Sequence, residues 1–455
     1  MTISVAKLCD FTIEALLYFL LIFIPLAFGG VQILPLTILE SISFLILAIW
    51  LIKRLFIPDS TVIKAYFWLP VILFILLVIF QLFPLPKEIL GFLSPKHLYI
   101  FTTFVPAEVL SKVQYCLTIY KEPTLSKLFE LLSYVSVFFV LLNTLETKKQ
   151  FKRLILVIIS MGFLVSIIGM AKGFTYPFIN RNHFAGYMEL VFFITAGYSL
   201  TEMTKYKRVL FSFIAMIMLV AIFLSLSRAG SLSFLGALIF MFTLLKLRKS
   251  MRKKSTFILT IVIIGVIFLG VLGGGPVLKR FSSLFDKGII SSETRWAIDR
   301  DVLNIIVDFP AFGTGLGTFR NIYPMYNTLQ LQDKVNYAHN DFLQLISEVG
   351  FLGLGLALWF LYLFFRNIFI AWLSQHHPFA KGIVLGGACA IFSLLLHSFF
   401  DFNLQIPANA FLFTVAMAII YKCSVIARSE NTVIASPANG GAKPALPVGR
   451  QSQNS

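Results

Sequence analysis

The sequence predicts a helical integral membrane protein that crosses the bilayer about twelve times and keeps both termini in the cytoplasm. Two features of composition and one of pattern carry this reading. Hydrophobic residues fill 58% of 455 positions and only 13% are charged, against roughly 25% charged in a soluble domain; the mean hydropathy is +0.87. A soluble core cannot hide so much apolar surface, whereas lipid solvates it and asks only that backbone polar groups pair within the chain. The apolar residues come in long runs rather than in alternation, which fits helices and not barrel strands.

Segments of span length fall near residues 11–28, 31–52, 66–83, 125–145, 154–173, 183–200, 209–226, 230–247, 256–273, 341–365, 381–400 and 404–426. The first run is expected to span rather than be cleaved, since it is long and has no small-residue cleavage site. Four short loops are densely basic: Lys53 and Arg54; Lys148, Lys149, Lys152 and Arg153; Lys205, Lys207 and Arg208; and the run from Lys246 to Lys254. All four fall on the cytoplasmic side if the N-terminus is inside and the count is twelve. The net charge of +17 is thus spread through topology signals, which argues against nucleic acid as a partner. The cysteines Cys9, Cys116, Cys389 and Cys423 form no CxxC pair, and only Cys116 falls in an outward loop, where it has no evident disulfide partner.

The opposite face receives two longer loops, near 84–124 and 274–340. In the second, Gly273-Gly274-Gly275-Pro276 is expected to end a helix. The stretch from Thr294 to Ile306 reads as an amphipathic helix with Trp296, Val302, Leu303 and Ile306 on its apolar face, lying along the membrane surface. Pro310 stops it, and the segment Phe312 to Phe319 is a glycine-punctuated turn. Residues 1–428 are read as one polytopic transmembrane domain. Residues 429–455, rich in Ala, Gly, Pro, Ser and Asn, are read as a disordered cytoplasmic tail.

The densest group of chemically capable residues runs from Tyr337 to Gly350, where the second loop enters a span. Asn340 or Asp341 can cap the helix. Asp341, Gln344 and Glu348 recur at helical spacing as a polar stripe, which at membrane depth should face the bundle interior or a wet cavity. His339 lies at its mouth, and a neutral imidazole there can accept a proton from a sugar hydroxyl; the plainer reading is a polar cap with an interfacial histidine. Arg228 lies in a tight outward turn, where its planar fork can hold phosphate oxygens or simply snorkel. Arg295 and Arg300 lie on the loop helix, Arg181 at another outward end, and Asp401 in the turn before the last span, one helical turn after His397. Several cations and one candidate base on a single face suit a diphosphate-bearing lipid. Asp299-Arg300-Asp301 matches a metal-binding DxD string, but inside a helix residues two apart point to different sides. The glycines at 313, 315 and 317 lack the Lys-Ser/Thr and the strand of a phosphate loop.

Four segments resemble the O-antigen ligase family of bacterial inner membranes, which shares a core with O-antigen polymerases. They are Asn180-Arg-Asn-His-Phe-Ala-Gly-Tyr; Ser227-Arg-Ala-Gly; Arg295 followed by Asp308-Phe-Pro-Ala-Phe-Gly-Thr-Gly-Leu-Gly-Thr-Phe; and Ala338-His-Asn-Asp-Phe-Leu-Gln with Glu348-Val-Gly. The resemblance covers roughly residues 150–425; the first third is similar in hydropathy alone. It implies a GT-C-type helical fold and an inverting, metal-independent glycosyltransferase without a cofactor, with its active site on the periplasmic side. The donor would be an undecaprenyl diphosphate-linked glycan and the acceptor the lipid A–core of lipopolysaccharide. Carried over by position, His339 is the catalytic base and Arg228 and Arg295 bind the diphosphate, with Arg181 a looser match. Asp401 fills an acidic position near the last span, and Asn340 supports the base. A polysaccharide polymerase and a protein O-oligosaccharyltransferase use the same donor. A lipid-linked glycan transporter would also place acids such as Glu40, Glu189 and Glu348 in its spans, but its site belongs near the bilayer midplane.

Overall fold

Every long element is a helix, and no strand occurs among the described residues. The computed structural model describes residues 2–435 apart from 57–61, 64, 107, 109–113, 202, 283–289, 329–334 and 375–376. A hairpin of α1 (Thr2–Leu26) and α2 (Ile33–Phe56) leads to α3 (Trp68–Leu82) and two short helices, α4 (Lys87–Leu93) and α5 (Pro95–Phe104). Then come α6 (Lys121–Thr144), α7 (Lys148–Lys172), α8 (Arg181–Ser199), α9 (Lys205–Leu224), α10 (Arg228–Leu247) and α11 (Arg252–Ser282). The loop helix α12 (Ile290–Asp308) and a single turn, Phe319–Ile322, precede α13 (Asp341–Ser374), α14 (Pro378–His397) and α15 (Pro407–Ala435). The last helix thus extends into the segment assigned to the tail; residues 436–455 lie outside the described residues.

Ten helices among the described residues are long and apolar enough to cross a membrane: α1, α2, α6, α7, α9, α10, α11, α13, α14 and α15. The chain is a multi-pass membrane protein on this ground, but the count of twelve spans is not reached. The two remaining expected spans are α3, with only 15 residues, and α8. The physical reason for α8 is its position. Every residue from Asn182 to Ser199 is buried, so the helix meets other helices rather than lipid and can carry polar residues. Its closest neighbour is α14: a Cβ on Gly197 would lie 2.5 Å from the carbonyl oxygen of Gly382 and 2.5 Å from Cα of Gly386. Small residues here let two helix backbones touch, a usual device of membrane bundles.

Local sequence sets the helix starts. Thr147 and Gln150 form a reciprocal capping box at α7, the Asn180 side chain accepts from Asn182 N at α8, and the Ser227 side chain accepts from Gly230 N at α10. Each satisfies a backbone donor that the helix itself leaves unpaired. The basic loops gather at the other end of the bundle, where Lys53 pairs with Asp10 at 2.6 Å and Arg153 with Glu14 at 2.6 Å.

Two expectations fail in the second loop. The helix α11 passes through Gly273-Gly274-Gly275-Pro276 and ends at Ser282; a proline inside a helix removes one hydrogen bond, and the helix propagating from a long apolar run tolerates that loss. The apolar face of α12 is also not the expected one. Val302 and Ile306 are buried, together with Ile298, Ile305 and Phe309, whereas Trp296, Leu303 and Val307 are 75%, 51% and 76% exposed. The helix therefore has two apolar sides, one in a small core with Phe319 and Tyr323 and one turned outward.

The two loops fold together over one end of the bundle. Ile119 N donates to Thr314 O at 2.9 Å and Thr118 N to Gln81 O at 3.0 Å. The second loop then enters α13 where that helix breaks: Gly350 has φ 65° and ψ −174°, and Phe351 N donates to Pro310 O at 2.8 Å. A Cβ on Gly350 would sit 2.2 Å from Ala311 O. Gly350→Ala is accordingly expected to destabilise the protein by more than about 2 kcal/mol, since both the positive φ and the backbone contact oppose a side chain. The measurement is the thermal unfolding midpoint in detergent; an unchanged midpoint would show that the break is not held by this contact.

Candidate functional site

The site assembles at the capped end, around a carboxylate that sequence spacing does not connect to its partners. Asp401 lies in the turn between α14 and α15 and is fully buried. That turn is fixed by its own backbone, Asp401 N donating to His397 O at 3.1 Å and Phe402 N to Asp401 Oδ1 at 2.9 Å. Four side chains converge on the carboxylate. Asn182 Nδ2 donates to Oδ2, Arg295 Nη2 lies 3.7 Å from Oδ2, and His339 Nδ1 and His183 Nε2 lie 3.5 and 3.9 Å from Oδ1. Burial by itself would push the Asp401 carboxyl up. Attraction to His339, His183 and Arg295 outweighs it and holds the group well below the usual carboxylate range, so it is ionised at neutral pH.

The chain of contacts continues through Asn182, whose Oδ1 accepts from Ser227 Oγ at 2.8 Å. Ser227 in turn caps α10 through Gly230 N at 3.1 Å. One buried amide therefore ties the starts of α8 and α10, the positions that carry Arg181 and Arg228, to the acid near the last helix. Arg228 opens α10 and is half-buried. Arg181 opens α8, and no ion pair of its side chain occurs among the described residues.

His339 has a left-handed backbone, φ 53°, which a non-glycine residue adopts only when its surroundings enforce it. The residues on both sides supply that enforcement. Ala338 N donates to Gln344 Oε1 at 3.1 Å, and Asn340 caps α13 by accepting from Phe342 N and Leu343 N at 3.0 and 3.1 Å. Asn340 thus fixes the chain beside His339 without entering the cluster. The His339 ring, 29% exposed, packs edge-on to Phe402 at 5.0 Å, and Phe402 also meets Tyr337 at 4.4 Å and His183 at 4.7 Å. Nδ1 is turned to the ionised carboxylate at 3.5 Å, and a neutral imidazole held so has its other nitrogen, Nε2, as a proton acceptor.

The polar stripe faces the bundle interior, as expected. Asp341 accepts from Ser398 Oγ at 2.8 Å and Leu404 N at 3.0 Å. Glu348 accepts from Gly317 N at 2.8 Å, Phe319 N at 3.3 Å and Gln344 Nε2 at 3.1 Å. The stripe is thus a clamp on the glycine turn. Gln81 completes it, donating to Phe312 O at 2.7 Å and Glu348 O at 2.9 Å while accepting from Leu316 N at 3.1 Å. His397 is outside the cluster and pairs with Glu189 at 2.9 Å.

The two acids of the DxD string do point apart. Asp301 is buried and accepts from Tyr323 Oη at 3.1 Å and from Thr328 N and Oγ1 at 3.2 and 2.8 Å. Asp299, four residues after Arg295 and so on the same face of α12, is half-buried, and its Oδ1 has no hydrogen-bond partner among the described residues. Burial pushes its carboxyl up to about 6 even though the charges of His339 and Arg295 draw it down. A carboxyl raised on folding stabilises the folded state relative to the charged form below the ordinary carboxylate range, and this contribution disappears as the pH rises through about 6. Asp299→Asn is therefore expected to raise the thermal midpoint at about pH 8 and to leave it nearly unchanged at about pH 4. A lower midpoint at the higher pH would show that the carboxylate is paired.

Of the residues anticipated from sequence, His339, Asp401 and Arg295 meet directly, whereas for Arg228 and Arg181 it is the adjacent residues, Ser227 and Asn182, that link to the cluster. Sequence reasoning passed over Asn182, His183, Ser227 and Phe402 as individual contributors. The signal for the first three was present, since each stands in a quoted motif; Asp299 could have been found from its four-residue spacing to Arg295. Beside the cluster, a 370 Å³ cavity lined by Phe74, Phe138, Leu361, Met417 and others reaches from Asp341 and Lys127 into the apolar bundle.

A family model described as O-antigen ligase matches residues 213–360. That span contains Arg228, Arg295, Asp299, His339 and Glu348 and excludes Asn182 and Asp401. No curated protein matches the chain.

Proposed function

We propose that this chain, whose residues 213–360 match a family model described as O-antigen ligase, is a member of that family and transfers a glycan from undecaprenyl diphosphate to a sugar hydroxyl of lipid A–core at the periplasmic face of the bacterial inner membrane. The observation that carries this reading is the convergence of His339, Asp401 and Arg295 at one end of the bundle, with the starts of α8 and α10 linked to it by Asn182.

The donor comes already activated, so the site has two tasks. It must stabilise charge building on the departing diphosphate, a task for the cations Arg228, Arg295 and Arg181; Arg295 lies 3.7 Å from Asp401. It must also take the proton of the attacking hydroxyl. The acceptor oxygen attacks the anomeric carbon as the bond to the diphosphate breaks, the proton passes to His339 Nε2, and the lipid diphosphate leaves with the bonding electrons. Attack from the side opposite the diphosphate inverts the anomeric centre. Ionised Asp401 holds the ring through Nδ1 and stabilises the imidazolium that forms. The apolar cavity below Asp341 suits the isoprenoid chain. Residues 1–428 act as the membrane domain, with both termini cytoplasmic.

The test is a reconstituted assay with purified lipid-linked glycan, offered either lipid A–core or a second donor molecule. Transfer to lipid A–core is expected, unaffected by EDTA. Chain lengthening instead would make the protein a polymerase, and an inert protein would overturn the reading. Arg295→Ala is expected to lower kcat by about 10²–10³-fold, the usual loss when one preorganised cationic or hydrogen-bonding group at a developing negative charge is removed.

A further inference from the structure

The mechanism leaves one group on α12 without a task. Asp299 Oδ1 is shielded from solvent and has no hydrogen-bond partner among the described residues, and Arg295, one helical turn before it on the same face, lies 3.7 Å from the Asp401 carboxylate that His339 faces at 3.5 Å. Three roles can be set aside. A carboxylate repels a diphosphate, so Asp299 is no part of the cradle for the leaving group. It is not a structural tie either, because Asp301 shows what that looks like on the same helix: a buried carboxylate accepting from Tyr323 and twice from Thr328. Nor can the two acids share a metal, since Asp301 is turned the other way and fully engaged. A carboxylate is an acceptor only, with room for several donors, and a charged acceptor binds a hydroxyl more strongly than a neutral one does. The natural partner of Asp299 is therefore a neutral polyol.

Its place on the face of α12 that carries Arg295 to the Asp401–His339 pair says which one. His339 meets the attacking hydroxyl, so a carboxylate at its side meets the next hydroxyl on the same sugar ring. We propose that Asp299 is an acceptor-binding residue, whose carboxylate accepts a hydrogen bond from a hydroxyl vicinal to the one that attacks. This makes the outward loop helix α12 bifunctional: Arg295 serves the diphosphate, and one turn later Asp299 serves the incoming sugar. The inference rests on the glycosyl-transfer reading above.

The experiment uses the full chain in proteoliposomes, with donor and acceptor varied in turn. Asp299→Asn is expected to raise the KM for the acceptor about 10-fold and Asp299→Ala about 10- to 100-fold, the loss of a hydrogen bond to a charged group. The KM for the donor and kcat should stay within about threefold, less than a hydrogen bond's worth. Acceptor analogues lacking one vicinal hydroxyl should show a matching loss with the wild type and none further with Asp299→Ala. Asp301→Asn serves as control, lowering the thermal midpoint without moving the acceptor KM. A raised donor KM would place Asp299 on the donor sugar, and a fall in kcat alone would make it a positioning residue for His339; either overturns the proposal. Unchanged kinetics in an active protein overturn this inference only, whereas an inert wild type overturns the glycosyl-transfer reading with it.

Discussion

His339→Asn is expected to lower kcat for glycan transfer by about 10²–10⁴-fold, the usual worth of a positioned general base, while the protein still inserts and folds. Asparagine is the informative replacement. It tolerates the left-handed backbone at this position, φ 53°, so the turn between Ala338 and Asn340 is kept and only the proton acceptor is lost. Alanine would mix that loss with strain. Asp401→Asn should fall in the same range, because the imidazolium formed in the reaction then faces a neutral amide in a buried site. The measurement is single-turnover transfer from a lipid-linked donor, with insertion checked by thermal unfolding. Transfer by His339→Asn within about threefold of wild type would be less than any general-base contribution and would remove His339 from the mechanism.

Glu348→Ala is expected to have the largest effect on stability, about 3–5 kcal/mol, enough to leave little folded protein in a membrane extract. Three donors end on this carboxylate, Gly317 N, Phe319 N and Gln344 Nε2, and its side chain is buried. Removing it leaves those donors without partners in a place water does not reach, which is costlier than losing the bonds themselves. Glu348→Gln keeps one oxygen but turns an NH2 toward a donor, so an intermediate loss is expected. Normal folding of Glu348→Ala, judged by monodispersity and midpoint in detergent, would mean the glycine turn is held without this carboxylate, by Gln81 and the backbone bonds of Thr314 and Gly315.

These two residues also mark what the sequence could and could not say. Glu348 was legible as part of a polar stripe because period and hydropathy define which face of a helix is buried; the partner of that face was not, since nothing in the run Asp341, Gln344, Glu348 points to Gly317. His339 and Arg295 were legible through motifs that resemble a known family. The link from Asp401 to Asn182 spans 219 positions and joins the ends of two helices, α8 and α14, that pack backbone to backbone at Gly197, Gly382 and Gly386. Burial of α8 escaped for a related reason: hydropathy separates lipid-facing helices from polar segments, and a helix enclosed by other helices satisfies neither pattern. Through Gly273 to Pro276 the local breaker signal was present and lost to the continuing helix. Asp299 was seen only as half of a metal string and set aside with it, when its spacing to Arg295 was the informative distance.

The helix that carries Arg295 and Asp299 turns Trp296, Leu303 and Val307 outward, along the side away from its own small core. In water such a ridge is a liability; at the boundary between headgroups and acyl chains it is an anchor. Under the proposed glycosyl-transfer mechanism the bilayer then forms one wall of the reaction chamber, and the depth at which α12 rests sets how far Arg295 and Asp299 reach over His339. Lipid thickness and headgroup composition become tuning parameters of the chemistry, although no bilayer lipid need enter the site. Detergent, by the same reasoning, replaces a wall, and the rate measured in a micelle belongs to a different chamber.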